Sequence, residues 1–338
     1  MKVLVTGASG YIGSSLCGYL LSEGHDVYAI DNFEYGNNLT TYMFNKKFHP
    51  SKIDVRNYNE VNKIASKCEI IIPLAALVGA PLCEFRKSDA EETNYLAIKN
   101  LLSNLSKDQI VIYPTTNSGY GTTDGSKFCT EETPLNPIST YGVTKVEAEK
   151  LVADKENSIR FRLATVFGCS PRMRLDLLVN DFVYKSVFDK YVILFEANFK
   201  RNYVHIRDVC ASFIYSLKNF EKLKNETYNL GLSTANLSKL ELCEEIKKVN
   251  KNFVIHLSEI GKDVDKRDYI VSNEKIEKKG FAASISLNEG IWGDLAFLWT
   301  KSEEEDFNRY EMLHSNGDND SMEIILTVFN IDDTEANI

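Results

Sequence analysis

The chain has few of the residues that cross-link a protein or hold it in a membrane. Its seven cysteines, scattered over 338 residues, are never spaced as Cys-x-x-Cys, which argues against a disulfide framework and a zinc site. No apolar run approaches the roughly 20 residues that cross a bilayer, and the N-terminus resembles a buried strand rather than a signal peptide. We therefore expect a cytoplasmic protein with reduced cysteines, no membrane partner and no metal.

Basic side chains are also outnumbered by acidic ones, 39 to 48. The formal net charge is −9, and residues 301–338 hold eleven acidic and two basic side chains, so the rest of the chain is balanced. Without a basic stripe the chain offers little to a phosphate backbone, and we expect no nucleic-acid partner. The acidic segment is predicted to be a solvated extension with one apolar run, 324–329, that has strand character.

Short apolar runs alternate with helix-like segments in the first half of the chain, and 43% of all residues are hydrophobic. This alternation is typical of the α/β class, a parallel sheet covered by helices. Six strands are predicted, at 2–6, 26–31, 47–54, 69–75, 109–115 and 158–166. After about residue 168 the alternation weakens, which indicates a second, smaller and mostly helical region.

A glycine-rich turn follows the first predicted strand and opens a helix. Gly7 would allow the tight turn, Gly10 the approach of a pyrophosphate, and Gly13 close packing of helix on strand. Free amides at the helix start, where Tyr11 and Ile12 stand, are placed to bind phosphates. The pattern predicts a Rossmann-type dinucleotide site.

Acidic residues end the next two predicted strands. Asp31 is placed to accept hydrogen bonds from the adenosine ribose hydroxyls and would repel a 2′-phosphate. Asn32 and its neighbour Phe33 add no positive charge, so NAD is favoured over NADP as the cofactor. Asp54 and Val55 are placed to contact the adenine edge, although a strand-end turn without ligand contact explains them equally well.

Tyr141 and Lys145 stand four residues apart in a segment predicted to be helical, so both side chains lie on one face. The Lys145 charge can then favour the phenolate of Tyr141, whose ordinary pKa is about 10. A tyrosine tuned in this way can act as a base. The spacing alone is common on solvated helix faces, so its weight comes from the motifs around it.

Several motifs follow the order and spacing of one known family: the glycine-rich start, Asp31, Leu74-Ala75-Ala76, Asn94, Thr116 with Tyr120-Gly121, and Tyr141 to Lys145. Together they resemble the NAD-dependent nucleotide-sugar epimerase/dehydratase branch of the extended short-chain dehydrogenase/reductases, over roughly residues 1–292. A closer likeness is to the GDP-heptose 4-dehydrogenases of bacterial capsule-heptose pathways. It is carried by segments 114–121, 162–168, 170–180, 200–205 and 265–269.

The resemblance implies a mechanism and a cofactor, NAD. Tyr141 would remove the proton of a sugar hydroxyl, usually at C4, while hydride passes from that carbon to the nicotinamide. Lys145 would hold the nicotinamide ribose and depress the Tyr141 pKa, and Thr116 would hydrogen-bond the sugar oxygen. Further residues would line or brace the cofactor by family position: Leu74, Ala75, Ala76, Asn94, Leu163 and Ala164.

The resemblance also implies a cationic substrate site for a nucleotide-diphosphate sugar. Arg201 and Arg267 match positions where the family places arginine on the substrate diphosphate, a geometry that suits the guanidinium fork. Arg172 and Arg174 belong to the closer likeness and are candidates for the nucleotide or the sugar. A surface role for these two is equally open.

Three positions depart from family patterns and are also candidate substrate contacts. The 4,6-dehydratases carry an Asp-Glu pair after the catalytic Thr, where this chain has Asn117 and Ser118, neither an acid nor a base near neutral pH. Water elimination is therefore disfavoured. The 3,5-epimerising reductases, which carry a cysteine acid at the Ser118 position, are disfavoured too. Thr165 stands where many relatives have an Asn that contacts the nucleotide sugar.

Two chemistries remain after these exclusions. Oxidation of a sugar hydroxyl, at C4 of a GDP-linked heptose or hexose, is placed ahead of 4-epimerisation of the UDP-glucose type. A non-catalytic NAD-binding scaffold is a further alternative. The resemblance also implies a homodimer, built on the helices after Ala90 and Tyr141.

Three parts of the chain are predicted. Residues 1–168 would form the NAD-binding domain, with a return segment at about 202–230. Residues 169–295 would form the substrate-binding domain, and residues 296–338 an acidic tail of unknown structure.

Overall fold

The computed structural model describes residues 1–123, 127–259 and 267–301, the last three of them by backbone alone. The strands are β1 (Lys2–Thr6), β2 (Asp26–Asp31), β3 (Phe48–Lys52), β4 (Ile70–Pro73), β5 (Ile110–Thr116), β6 (Phe128–Cys129), β7 (Ser158–Leu163), β8 (Thr165–Phe167), β9 (Tyr191–Leu194), β10 (Lys200–His205), β11 (Glu226–Leu230), β12 (Asn236–Ser238), β13 (Val254–Leu257) and β14 (Ile270–Val271).

The α-helices are α1 (Tyr11–Ser22), α2 (Tyr58–Ala65), α3 (Ala80–Phe85), α4 (Lys87–Glu91), α5 (Ala97–Asn104), α6 (Thr140–Ala153), α7 (Leu178–Val187), α8 (Ile206–Lys218), α9 (Phe220–Leu223), α10 (Lys239–Val249), α11 (Glu274–Lys278) and α12 (Leu287–Lys301). Short 3₁₀ helices lie at Thr40–Tyr42 and Asn117–Tyr120, and a π-helical turn lies at Glu92–Leu96.

Seven strands form one parallel sheet in the order β11-β7-β5-β4-β1-β2-β3. The chain builds one half of the sheet outward from β1 and the other half outward from β4, so the direction reverses between these two strands. In open α/β sheets, ligands bind outside the carboxyl ends of the strands at such a reversal. The predicted Rossmann-type doubly wound sheet is confirmed.

The predicted strand bounds agree best where an apolar run is closed by turn residues. β1 and β2 begin and end as predicted, and β11 adds an edge strand from the predicted return segment. The single strand predicted at 158–166 is wrong, because the chain leaves the large sheet after Leu163. β8 then pairs with β10 in a separate sheet of β12, β10 and β8.

Helices cover both faces of the large sheet, as a buried parallel sheet requires. On one face, α1 and α8 contribute Leu16 and Phe213 to an apolar cluster against β1 and β4. On the other, α2, α5 and α6 contribute a second cluster that includes Val152. Because both faces are covered, strand residues such as Val3 and Ile71 are fully buried, and only the strand ends can present polar groups.

The region after β8 has a core of its own, formed where α7, α10 and α12 pack together with Phe182, Leu242 and Ile291. α12 continues to Lys301, so the first residues of the predicted acidic tail at 296–338 are helical. The rest of that predicted tail, including the run at 324–329, lies outside the described residues. The domain boundaries stay predictions.

All seven cysteines lie in the described ranges, where they are free thiols and six of them are buried. This agrees with the expectation of reduced, packed cysteines. None of the helices that the structure describes combines the length and the apolar character needed to span a bilayer.

Candidate active site

The glycine-rich loop leaves the carboxyl end of β1 and leads into α1. Gly7 has φ +64°, and a Cβ there would lie 2.6 Å from the Ala75 amide nitrogen. At Gly13 a Cβ would lie 2.3 Å from the Gly7 carbonyl, and at Gly10 it would lie 3.0 Å from the same oxygen. No side chain caps the start of α1, so its amides remain available to an anion. The loop therefore fits a pyrophosphate, as predicted.

Asp31 lies beside this loop at the end of β2. Its carboxylate accepts hydrogen bonds from the amides of Ser9, at 3.0 Å, and Phe33, at 2.7 Å. Burial raises the pKa of Asp31 above its ordinary value, and these two amides oppose the rise. Asn32 turns its side chain to the Glu34 amide, 3.0 Å away. Asp31 is thus held beside the glycine loop, and its contact with the ribose stays a prediction.

Arg172 carries a positive charge that acts on Asp31. The next residues in the sequence, Asn32 and Phe33, carry none. Its guanidinium lies 4.6 Å from the centre of the Tyr35 ring, and its charge lowers the pKa of Asp31. Arg172 therefore lies near the carboxylate that is predicted to bind the adenosine ribose, whereas the sequence suggested a nucleotide or sugar contact. Nothing in the sequence around Asp31 signals this approach.

The segment after β4 lies opposite the glycine loop. The amides of Leu74 and Ala75 bond the Thr6 carbonyl and hydroxyl, both at 3.1 Å, and Ala76 is half-buried beside them. Asn94 braces this segment, because its side chain exchanges hydrogen bonds of 2.8 and 3.0 Å with the backbone of Leu77. The predicted bracing role of Asn94 therefore has a geometric basis.

Asp54 and Val55 differ in their surroundings. The Asp54 carboxylate is bound by Arg56, at 2.7 Å, and the hydrogen bond from Arg56 lowers the pKa of Asp54. Val55 lines a small cavity together with Thr6 and Ala75, at the reversal point of the sheet. The adenine contacts of both residues stay predictions.

The predicted catalytic residues meet where β5 ends and α6 begins. Ser139 caps α6 by accepting the Gly142 amide at 3.1 Å, which places Tyr141 in the first turn. The side chain of Thr116, the last residue of β5, lies close enough to the Tyr141 phenol to lower its pKa. Lys145 follows one turn later, with its Nζ 4.1 Å from the centre of the Tyr113 ring.

The electrostatics of Tyr141 differ from the expectation. Burial raises its pKa, and the charges of Arg267 and Arg174, together with the Thr116 side chain, lower it. The expected effect of Lys145 on Tyr141 is not seen, because the Lys145 ammonium turns to the Tyr113 ring although both residues share a helix face. Burial also lowers the pKa of Lys145 itself, to about 7.

Two of the four predicted arginines lie at the Tyr141 end of the site. Arg267 donates to the Ser118 hydroxyl, and Arg174 pairs with Asp176 while its charge reaches Tyr141. The third, Arg201, lies buried on β10, where its charge lowers the pKa of Tyr203 against the effect of burial. Arg172 lies at the opposite end, beside Asp31.

The two residues after Thr116 lie close to the reacting groups. The Thr116 hydroxyl donates to the Ser118 hydroxyl at 2.9 Å, so Ser118 links Thr116 to Arg267. Asn117 is 1% exposed, and its amide atoms have no hydrogen-bond partner within the part of the chain that the structure describes. Neither residue adds an acid beside Tyr141.

The end of β7 completes this side of the site. Leu163 pairs with Thr116 in the β5–β7 register, and Ala164 follows it, buried. Thr165 is half-buried on β8, opposite Tyr203 of β10. The contacts of Leu163 and Ala164 with the cofactor, and of Thr165 with the substrate, stay predictions.

With the geometry in place, comparison with known proteins identifies the family. A family model described as the NAD dependent epimerase/dehydratase family matches residues 3–231. The chain belongs to this family. It is therefore an NAD-dependent enzyme of the nucleotide-sugar epimerase/dehydratase type, and the glycine loop and Asp31 fit the cofactor.

Individual members of the epimerase/dehydratase family agree with this assignment. A UDP-glucose 4-epimerase of Lactobacillus helveticus is 29% identical over 275 residues, which cover 74% of this chain and 82% of that protein. The UDP-glucuronic acid 4-epimerase of Bacillus cereus, solved with UDP-glucuronic acid and NAD, has a TM-score of 0.78 at 24% identity, covering 89% of this chain and 99% of that one. A dTDP-glucose 4,6-dehydratase of Bacillus anthracis, solved with NAD, has a TM-score of 0.77 at 21% identity, with coverages of 89% and 97%. At this identity the two structures show only that the fold is shared. The same fold occurs in enzymes that catalyse different reactions.

Proposed function

We propose that this enzyme oxidises a hydroxyl of a nucleotide-diphosphate sugar, at C4 of a GDP-linked heptose or hexose. The contact between Tyr141 and Thr116, at the sheet edge that also holds the glycine loop, carries the proposal. Tyr141 takes the proton of the hydroxyl, and Thr116 holds its oxygen. NAD, when bound, accepts hydride from the carbon that carries this oxygen.

The residues around Tyr141 support oxidation over elimination of water. Elimination needs an acid for the leaving hydroxyl and a base for the neighbouring carbon, and Asn117 and Ser118 supply neither. The positive charges of Arg267 and Arg174 lower the pKa of Tyr141 and so favour a phenolate and a developing alkoxide. A basic Tyr141 in a cationic surrounding suits proton removal from a carbinol.

The arginines divide between the two ends of the substrate. The resemblance assigns Arg201 and Arg267 to the diphosphate, and that role remains our proposal for Arg201. The bond from Arg267 to Ser118 supports a contact with the sugar end instead. Arg174, which acts on Tyr141, is proposed for the same end.

The alternative activity is 4-epimerisation, and the 29% identity to a UDP-glucose 4-epimerase favours it. Both chemistries use Tyr141, Thr116 and Lys145. They differ in whether the keto sugar leaves the enzyme. The preference for oxidation of a GDP-linked sugar rests on the closer resemblance carried by segments such as 114–121 and 170–180.

The experiment that separates these activities is a panel of nucleotide sugars incubated with NAD, with NADH followed by fluorescence and products by NMR in deuterated water. Our proposal expects a keto sugar and NADH from a GDP-linked heptose or hexose. Conversion of UDP-glucose to UDP-galactose without net NADH, and no keto product from any GDP-sugar, would establish the epimerase instead. NAD binding without turnover of any member of a complete panel would support the scaffold.

We further propose a homodimer built on α5 and α6. Val143, on the outer side of α6, is 44% exposed, and Phe85, at the end of the nearby α3, is 88% exposed. Large apolar side chains exposed near one surface are suited to burial against a second copy. Light scattering of the full chain tests this proposal, and a monomeric mass at micromolar concentration would refute it.

A further inference from the structure

We infer that the buried ion pair of Glu149 and Arg162 is a positioning device that keeps Lys145 an ammonium ion, in the site on which the proposed function rests. Glu149 lies four residues after Lys145 and eight after Tyr141 in α6. All three residues therefore follow one side of that helix. Neither Glu149 nor Arg162 is placed to contact a substrate, so both would act through Lys145.

The pair has two-point geometry and is shielded from water. Arg162 Nε and Nη2 both donate to Glu149 Oε1, at 3.0 and 2.7 Å. The side chains of Arg162 and Glu149 are 8% and 6% exposed. A buried, hydrogen-bonded pair of this kind is weak evidence for stability, because desolvation offsets most of the attraction. Its presence beneath the site therefore suggests an electrostatic role.

The other end of Arg162 is also held. Its Nη1 donates to the Tyr120 hydroxyl and to the Glu131 carbonyl, both at 3.1 Å. The Tyr120 hydroxyl in turn donates to Asn229 Oδ1 at 2.7 Å. The guanidinium is thus fixed between β7, the Asn117–Tyr120 turn and β11. Because Arg162 cannot turn away without breaking these bonds, the Glu149 carboxylate is held in place.

Lys145 needs such an anion because its surroundings disfavour its charge. Lys145 is 5% exposed, and the Tyr113 ring is its aromatic neighbour. Burial lowers the pKa of Lys145 to about 7, while Glu149 raises it and Cys83 adds a smaller rise. At the pKa that results, a further loss of negative charge would leave a neutral amine at physiological pH.

Of the titratable groups that face Lys145 in the described part of the chain, Glu149 is the carboxylate. From α6, Tyr141 faces it as a phenol whose pKa burial raises. From β5, Tyr113 also faces Lys145 as a neutral phenol, because burial raises the pKa of Tyr113 well above the ordinary value. From α3, burial raises the pKa of the Cys83 thiol to about 11, so this group is neutral as well.

The test measures the protonation of Lys145 directly, in protein without NAD or substrate. Lysine labelled with ¹³C at Cε reports each ammonium by NMR, and Lys145→Met identifies the resonance of Lys145. We expect Glu149→Gln to move the Lys145 midpoint down by about one pH unit, a tenfold change in its protonation equilibrium. Glu147→Gln is the matched control, because Glu147 stands on the same helix with its side chain 47% exposed and paired to Lys150. That control should leave the midpoint in place.

A second variant separates this electrostatic role from a structural one. Glu149→Gln alone leaves a buried guanidinium unpaired, whereas Glu149→Gln with Arg162→Met removes both charges and restores stability relative to the single variant. Lys145 has lost its anion in both variants, so both should show the lowered midpoint. In both variants, the pH above which turnover declines should also be lower than in the wild type. An unchanged Lys145 midpoint in the double variant, or an equal shift in Glu147→Gln, overturns the inference.

The two proposals fail in different ways. The NMR titration needs neither cofactor nor substrate, so it can be read even if no nucleotide sugar is oxidised. A lowered midpoint without any turnover would overturn the proposed function alone. Intact oxidation with an unchanged midpoint in both Glu149 variants would overturn the positioning role alone.

Discussion

The phenol of Tyr11 donates a hydrogen bond of 2.5 Å to the carbonyl of Gly168, 157 residues further along the chain. Tyr11 belongs to the start of α1, directly after the glycine loop, and Gly168 directly precedes the predicted substrate region. Ser170 adds a bond of 2.6 Å to the Tyr11 carbonyl, and Asn180 donates to the Tyr11 hydroxyl at 3.3 Å. The cofactor loop and the substrate region are therefore coupled by a shared set of buried hydrogen bonds.

Removing the Tyr11 hydroxyl tests this coupling. We expect Tyr11→Phe to lower the free energy of unfolding by about 1–3 kcal/mol, because buried groups at Gly168 and Asn180 lose a partner. The dissociation constant for NAD should rise as well, since α1 begins at this residue. Denaturant unfolding and calorimetric NAD binding measure both effects. Tyr191→Phe, at a side chain that is 51% exposed, is the control and should behave as the wild type.

Cofactor choice can be shifted at the end of β2. Replacing Asp31 by Ala and Asn32 by Arg removes the carboxylate that repels a 2′-phosphate and adds a cation. Arg172, already close to Asp31, should strengthen the effect. We expect the ratio of NADP to NAD affinity to rise by at least about tenfold, measured by fluorescence titration. Asp26→Ala, at the start of β2, is the control, and full NAD selectivity in the double variant would contradict the assignment of Asp31.

Turnover should depend on the Tyr141 hydroxyl. General acid–base catalysis contributes about 10²–10⁴-fold, so Tyr141→Phe should lower kcat by that factor while NAD binding is kept. Steady-state kinetics on the substrate found in the panel, beside a binding isotherm for NAD, measures both quantities. Unchanged turnover in Tyr141→Phe would support a different base or an enzyme-independent activity.

Asp294 should make the stability of the fold depend on pH. This side chain is fully buried in α12, and one of its oxygens has no hydrogen-bond partner among the residues described. Burial raises its pKa from 3.8 to about 7, against a smaller opposing effect of the Cys169 thiol. The folded state therefore keeps a proton that the unfolded state has lost, so the contribution of this group to stability falls as pH rises from about 4 to about 7.

Asp294→Asn removes this titration with little change in shape. We expect the variant and the wild type to unfold at similar denaturant concentrations near about pH 4, and the variant to be more stable near about pH 8, by up to roughly 4 kcal/mol. Asp189→Asn, at an exposed residue, should show no such difference. A constant difference between Asp294→Asn and the wild type across this range would mean that Asp294 keeps an ordinary pKa in the folded protein.

Much of the cofactor half could be predicted from the sequence, because its signals are local. β1, β2 and the glycine loop are short patterns whose residues are neighbours in the chain, and apolar runs closed by turn residues fixed their bounds. Prediction failed where the chain changes sheets. The run at 158–166 continues its apolar residues past Leu163 without a turn residue, and nothing in it shows that Thr165 leaves the large sheet to pair with Tyr203.

For the candidate site, too, local spacing predicted some features and missed others. The four-residue spacing of Tyr141 and Lys145 correctly indicated a shared helix face, yet spacing says nothing about where a long side chain ends. Lys145 points to Tyr113, and the cation next to Ser118 is Arg267, 149 residues away from it. Burial, which raises the pKa of Tyr141 and lowers that of Lys145, depends on all the elements packed around them.

By itself, then, the sequence determined the class of fold, the family and the cofactor, and it predicts the reacting side chains, since these follow from residue types at short, regular spacings. Only the tertiary structure decided which distant groups meet: Tyr11 with Gly168, Arg172 near Asp31, and Glu149 with Arg162. These contacts depend on how whole strands and helices pack against one another. For that reason the charges that tune the site come from parts of the chain that no local pattern connects.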